Sequence, residues 1–145
     1  MKKLLILILS VSLLLSITAA AWAQKPSKSV APSNSKIIVY YFYNNYRCPT
    51  CKKLEAYTSE TLTSKFADAM KKGLITWQMV NVDQPANKHF IKEYKIFTKQ
   101  VVLVETKNGA QTRWKNLDKI WNLHSDKAKF SAYIENEIKA FKGGS

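Results

Sequence analysis

The two cysteines of this 145-residue chain form a C-x-x-C motif, Cys48-Pro49-Thr50-Cys51. An apolar run ends shortly before them at Tyr43, and a helical pattern begins at Pro49. A strand that leads into a helix start presents the thiols to free N–H groups and a partial positive charge, both of which stabilise a thiolate. We expect Cys48 at the exposed helix tip and Cys51 one turn inward, within disulfide reach. The spacing predicts a redox pair in which Cys48 exchanges disulfides and Cys51 resolves the intermediate.

The residues in and beside the motif suit this chemistry. Pro49 fits the first helical position, where its missing N–H costs nothing. Arg47 and Lys52 are basic neighbours of the cysteines, and cationic neighbours lower a thiol pKa. We therefore expect Arg47, Pro49, Thr50 and Lys52 to tune the thiolate. Plain solvation of the basic side chains is the alternative.

Two other uses of the cysteines stay open. A structural zinc site needs four ligands, and the other soft ligands here, His89 and His124, are far apart in sequence. A Cu(I) site of two thiolates and one histidine is compatible with the composition, because thiolates select Cu(I). A structural disulfide is the third reading, but so short a loop constrains the unfolded chain little. We expect no metal, and no cofactor besides the redox-active disulfide Cys48–Cys51.

The N-terminal residues are typical of a secretory signal peptide. Lys2 and Lys3 precede an apolar stretch, which ends in Ala21-Trp22-Ala23. A basic start, an apolar middle and a small-residue cleavage site predict residues 1–23 as a signal peptide. The expected location is therefore exported and periplasmic. An uncleaved signal that anchors the protein in the membrane is the alternative.

Beyond the signal, residues 24–35 are rich in Ser, Pro and Lys and are predicted to form a flexible linker. Residues 36–142 have the size of one domain. The formal net charge is +13, from lysines scattered over the sequence. Because no basic cluster interleaves with stacking aromatics, we expect a solvated basic surface, no nucleic-acid binding and a preference for acidic partners. The domain is expected to be a monomer.

Periodicity predicts the element order β-α-β-α-β-β-α. The predicted strands are Ile37–Tyr43, Leu74–Val82, Val101–Glu105 and Ala110–Trp114, the last two joined by a turn at Asn108-Gly109. The predicted helices are Pro49–Met70, with a break near Thr58-Ser59, one starting at Asp83-Gln84-Pro85 and one capped by Ser125. The order predicts an α/β fold with a central four-stranded mixed sheet flanked by helices.

This order, with C-x-x-C at the first strand-to-helix junction, resembles the thioredoxin fold. The resemblance implies a thiol–disulfide oxidoreductase that exchanges with a protein disulfide or dithiol. More narrowly, Arg47-Cys48-Pro49-Thr50-Cys51, Val80-Asn81-Val82-Asp83 and Arg113-Trp114-Lys115-Asn116-Leu117 are similar to the exported ArsF-type thioredoxin-like family, named after a nitroreductase subunit. That similarity implies an accessory electron-transfer subunit as an alternative function.

Two departures from thioredoxins bear on specificity. Phe42 stands where thioredoxins carry a buried carboxylate, and Thr98-Lys99-Gln100-Val101 has no proline where they carry a cis-proline. We expect a trans peptide there, since a cis bond without proline costs about 3 kcal/mol. Tyr46, Gln100 and Val101 are the candidate docking residues. The departures favour one dedicated partner, such as a membrane thiol-conveying protein, over general activity on proteins.

Overall fold

The computed structural model of the protein describes residues 35–144. The predicted signal peptide and residues 24–34 of the predicted linker lie outside the described residues. Within them, the elements follow the predicted order. The strands are β1 (Ser35–Tyr43), β2 (Ile75–Asn81), β3 (Gln100–Lys107) and β4 (Ala110–Asn116). The helices are α1 (Pro49–Lys65), α2 (Ala67–Lys71), α3 (His89–Glu93) and α4 (Lys127–Gly143), with 3-10 turns at Pro85–Asn87 and Asp118–Trp121.

The four strands form one mixed sheet in the order β2-β1-β3-β4. β1 pairs parallel with β2 and antiparallel with β3, and β3 pairs antiparallel with β4. β1 lies inside the sheet because its residues are apolar on both faces, as the sequence predicted. The strand order and directions are those of the thioredoxin-like fold, which confirms the predicted fold class.

Alternate residues of β1 build two cores on the two faces of the sheet. Val39 and Tyr41 are fully buried against α1 and α4, whose contributions include Leu54 and Phe130. Phe42 faces the other way, into a second cluster of buried side chains from β1, β2, β3 and the α3 region. Because α1 packs its apolar face on the first core, its N-terminus is held at the end of β1, and the cysteines are placed there.

The element boundaries differ from the prediction at three points. The first predicted helix breaks at Phe66, not near Thr58-Ser59, since Thr58 is buried and its hydroxyl bonds the Leu54 carbonyl within a continuous α1. The second predicted helix is a 3-10 turn followed by the short α3. The last helix is capped by Asp126, not Ser125, because the Asp126 carboxylate accepts from the Lys129 N–H.

The predicted turns occur as expected. Asn108 and Gly109 both have positive φ, 53° and 82°, as a two-residue hairpin turn requires. Gly73, with φ 66°, ends the α2 region where a helix C-terminus favours glycine. Among residues 35–144, no helix has both the length and the apolarity needed to cross a membrane.

Candidate redox site

Cys48 and Cys51 form a disulfide at the N-terminus of α1, with their Cα atoms 5.0 Å apart. Cys48 is the N-cap, in extended conformation, and its Sγ accepts a hydrogen bond of 3.1 Å from the Cys51 N–H. Pro49 follows as the first helical residue. The helix N-terminus therefore directs a backbone donor at the sulfur of Cys48, where a thiolate would form on reduction.

The two sulfurs differ in access. Cys48 is half-buried, whereas Cys51 is 1% exposed and belongs to the buried face of α1. This asymmetry follows from the helix, since the first turn covers its own inner face. An approaching disulfide can reach Cys48 and not Cys51.

Tyr41 supports the motif from beneath, a role that was not predicted. Its ring is fully buried, and its hydroxyl donates a hydrogen bond of 2.7 Å to the Cys51 carbonyl oxygen. Burial, and secondarily the charge of Glu55, raises the pKa of the Tyr41 phenol well above its usual value. The phenol therefore stays protonated and keeps donating. One feature of the sequence could have indicated this role: Tyr41 places a hydroxyl on the face of β1 that packs under α1.

Arg47 forms an ion pair with Glu55, which lies on α1 one turn beyond Cys51. Its guanidinium also lies over the Tyr43 ring, 4.4 Å from the centroid. Each side chain of the pair is 26% exposed. Sequence reasoning assigned Arg47 to the thiolate and missed Glu55. Because Glu55 compensates the charge, Arg47 contributes less to stabilising a Cys48 thiolate than a free cation would.

The remaining tuning candidates lie around the helix start. Thr50 is half-buried within the motif, and Lys52 and Lys53 are exposed. Lys52 lies on the first turn beside the cysteines, in contact with solvent. Its charge is screened by water at that position, so the helix N-terminus is the nearer source of positive potential for Cys48.

Of the three docking candidates, only Tyr46 is exposed, at 73%. Gln100 and Val101 are 5% and 0% exposed, because β3 begins at Gln100 and both side chains enter the cores. Their side chains offer little surface, and the docking role predicted for these two stays a prediction. The exposed aromatic side chain of this loop is Phe97, at 85%. The buried Gln100 acts on it indirectly, since its Oε1 accepts from the Phe97 N–H at 3.0 Å.

Lys99 joins the two loops at the site. Its ammonium lies 5.2 Å from the centre of the Tyr46 ring, a distance at which a cation and an aromatic face attract each other. Its carbonyl oxygen accepts from the Trp121 indole at 2.8 Å. On the other side of this loop, a cavity of about 200 Å³ is lined by Tyr43, Asp83, Ile91, Phe97, Lys99 and others. Exposed aromatic side chains and a small cavity therefore lie close to the start of α1.

Polar contacts fix the loop that carries Tyr46. The Asn45 N–H donates to the Asp83 carboxylate at 2.8 Å, and the Asn81 amide donates to the Asn45 side-chain oxygen at 2.8 Å. These bonds tie the loop to the end of β2. The loop before β3 has the expected trans backbone, as residues 35–144 contain no cis peptide. Phe42, in place of a carboxylate, is fully buried in the second core.

The ring nitrogens of the two histidines lie against backbone carbonyl oxygens and not against the cysteines. The Nδ1 atom of His89 lies 2.8 Å from the Ala86 carbonyl oxygen, and that of His124 lies 2.6 Å from the Trp121 carbonyl oxygen. The described part of the chain contains no group of three or more His, Cys, Asp or Glu side chains arranged to hold a metal ion.

Comparisons with known proteins add the following. No protein-family model matches the chain, and no curated protein matches it. Among solved structures, it is similar to a mutant thioredoxin of Entamoeba histolytica, with 20% identity and a TM-score of 0.40 over 72% of this chain and 84% of that one. It is also similar to oxidised thioredoxin O2 of Arabidopsis thaliana, with 18% identity and a TM-score of 0.39 over 66% and 76% of the two chains.

A thioredoxin of Thermus thermophilus shows 19% identity and a TM-score of 0.38, over 57% of this chain and 58% of that one. Similarities at this level carry no argument about activity. The thioredoxin-like fold rests on the order and direction of the four strands, and the chemistry rests on the site itself.

Proposed function

We propose that the protein is a thiol–disulfide oxidoreductase that works through Cys48 and Cys51. One observation carries the proposal: a disulfide at a helix N-terminus joins a half-buried cysteine, Cys48, to one that is 1% exposed, Cys51. A disulfide that only braced the fold would need no such difference, and it would brace this fold poorly because the loop it closes is so short. Unequal access suits a pair in which one thiol reacts with the partner and the other resolves the mixed disulfide.

The cycle uses each sulfur once. In the reducing direction, the Cys48 thiolate attacks a partner disulfide and releases one partner thiol, leaving a mixed disulfide. Cys51 then attacks the Cys48 sulfur, the bond to the partner breaks, and the second partner thiol leaves. Two electrons pass to the partner and Cys48–Cys51 becomes a disulfide. The oxidising direction runs through the same mixed disulfide in reverse.

We further propose a dedicated partner, outside the cytoplasm, that contacts the loops carrying Tyr46 and Phe97. The exposure of both aromatic side chains supports an apolar contact with the partner. The formal net charge of +13 supports a partner whose surface around that contact is acidic. A membrane thiol-conveying protein meets these requirements, because a reductant working in an oxidising compartment must be recharged across the membrane. An accessory electron-transfer subunit of a nitroreductase-type complex is the alternative function.

The test compares general and dedicated substrates. The reduced protein is assayed on insulin and on scrambled disulfides beside a thioredoxin, and its disulfide exchange with glutathione is followed separately. We expect exchange with glutathione that requires Cys48, and weak activity on the protein substrates. Rates equal to thioredoxin on those substrates would contradict a dedicated partner. Absence of any exchange, with stoichiometric Cu(I) binding by the reduced protein, would favour the metal-binding alternative.

A further inference from the structure

The resolving cysteine poses a proton-transfer problem. Cys51 is 1% exposed, and a thiol in such surroundings resists ionisation because burial disfavours the charged form. Only the thiolate attacks a disulfide, so the Cys51 proton must leave before the mixed disulfide can be resolved. Solvent is a poor acceptor for a covered atom. Resolution therefore requires a protein group beside Cys51 that accepts a proton.

Glu55 occupies that position. It lies four residues after Cys51 on α1, so the two side chains share a helix face at roughly 5–6 Å between Cβ atoms. Helical side chains also lean toward the helix N-terminus, and the Glu55 carboxylate reaches back to the side chain of Arg47, which directly precedes Cys48. Arg47 holds it there through the ion pair. The other nearby carboxylate, Asp83, is engaged by the Asn45 N–H in the loop.

Tyr41 contacts the cysteine from below. Its hydroxyl donates to the Cys51 carbonyl oxygen, and the charges of Glu55 and Arg47 both act on its pKa, the first raising it and the second lowering it. The charged or titratable groups that bear on Glu55 are Arg47, through the ion pair, the Tyr41 phenol, and Lys52, three residues earlier on α1. The Nε of Arg47 is buried and has no hydrogen-bond partner among the described residues. The pair is therefore not a saturated structural network.

We propose that Glu55 is the proton acceptor for Cys51 in the resolving step, with Arg47 and Tyr41 as its positioning residues. The inference rests on the proposed function. In the step, the Cys51 Sγ–H bond breaks and its proton passes to the Glu55 carboxylate. The Cys51 sulfur forms a bond to the Cys48 sulfur, the bond from Cys48 to the partner sulfur breaks, and the departing thiolate takes up a proton. The dithiol is oxidised and the partner disulfide is reduced.

The test separates attack from resolution in one experiment. Reduced protein is mixed with a single equivalent of Ellman's reagent, which gives one release of coloured thiolate when Cys48 attacks and a second when Cys51 resolves. Glu55→Gln keeps the size of the side chain and removes the base. We expect the first phase to be unchanged and the second to slow by on the order of 100-fold near neutral pH, the low end of general base catalysis.

The pH profile distinguishes a proton acceptor from a merely structural residue. In Glu55→Gln the second phase should fall about tenfold per unit as the pH drops below the Cys51 pKa, because preformed thiolate is then required. In the wild type the fall should be shallower. Glu55→Asp should recover part of the rate. Glu60→Gln, on the same helix and paired with Lys127, is the matched control and should leave both phases unchanged.

Two outcomes overturn the inference: a second phase in Glu55→Gln as fast as in the wild type, or equal slopes of the two pH profiles. Circular dichroism spectra establish that each variant is folded. Failure of the proposed function is a separate result, in which the wild type itself exchanges no disulfide with glutathione.

Discussion

Two arginine–glutamate pairs lie at different places in this small domain, and they are built differently. Arg113 and Glu105 face each other across β4 and β3, and the Glu105 side chain is only 2% exposed. Its carboxylate also accepts from Ser35 at 2.7 Å and Thr112 at 3.0 Å. Arg113 in turn donates to the Phe141 carbonyl oxygen and lies over its ring. This pair ties three strands to α4.

The Arg47–Glu55 pair beside the disulfide has neither property. Both side chains are 26% exposed, and the Arg47 Nε is without a partner in the described part of the chain. A buried charge without compensation is expensive, so a pair that serves stability is surrounded by further hydrogen bonds. The contrast teaches that the chemical identity of a pair does not set its role. Burial and saturation mark the first as structural, and the open second pair is available for proton transfer.

The largest expected effect is on the buried pair. Arg113→Met leaves the Glu105 carboxylate buried without its cation, so the free energy of unfolding should fall by about 3–5 kcal/mol. Urea denaturation measures it. Adding Glu105→Gln to that variant should recover part of the loss, since an amide needs no counter-ion. Both phases of thiol exchange should be unchanged, and a loss below about 1 kcal/mol would contradict the structural role of this pair.

The Cys48 thiol should ionise unusually easily. The helix N-terminus should lower its pKa below the free value of ~8.5, into the range of roughly 5 to 7. Stabilising the thiolate stabilises the reduced protein, so the pair should be more oxidising than thioredoxin, above about −270 mV. Thiolate absorbance is titrated in Cys51→Ser, which isolates the Cys48 thiol. A pKa near that of free cysteine would refute the electrostatic argument.

Breaking the exposed pair should affect stability little. Arg47→Met leaves Glu55 in contact with water, so the free energy of unfolding should change by less than about 1 kcal/mol. Arg47→Met also leaves the Glu55 carboxylate uncompensated near the motif, so the Cys48 pKa should rise. Urea denaturation and the same titration measure the two effects. A destabilisation as large as that of Arg113→Met would remove the distinction between the two pairs.

The effect that changes with pH concerns Tyr41. Its pKa is raised in the folded protein, chiefly by burial, so its contribution to stability is complete below the unfolded value of about 10 and declines as the pH rises above it. Near neutral pH, Tyr41→Phe should lose the hydrogen bond to Cys51, about 0.5–1.5 kcal/mol. Above about pH 10 the difference between wild type and variant should narrow. A difference independent of pH would show that this phenol is not the group that titrates.

The fold was largely predictable because its signals are local. The apolar β1, the Asn108-Gly109 turn and the Pro49 helix start each depend on a few adjacent residues. The break at Phe66 was missed because a buried threonine looks like a surface residue in sequence, although its hydroxyl is satisfied by the preceding turn.

The candidate site was predictable only in part. The cysteines have a recognisable spacing, and Cys48 and Cys51 could be placed on the helix from it. Glu55 and Tyr41 could not be assigned, because their role depends on where the Arg47 side chain reaches and on which strand face meets α1. The burial of Gln100 could not be predicted, since the exposure of a residue at this point depends on where β3 begins.

The most direct test of the roles of Cys48 and Cys51 is to trap the mixed disulfide in two variants. Cys51→Ser leaves the accessible sulfur without its resolving partner, so it should accumulate mixed disulfides through Cys48. Cys48→Ser leaves only the covered sulfur and should accumulate few or none. Both are reacted with glutathione disulfide and analysed by mass spectrometry of the intact protein. Strong trapping by Cys51→Ser alone is the predicted result, and equal trapping by both variants would contradict the division of labour between Cys48 and Cys51.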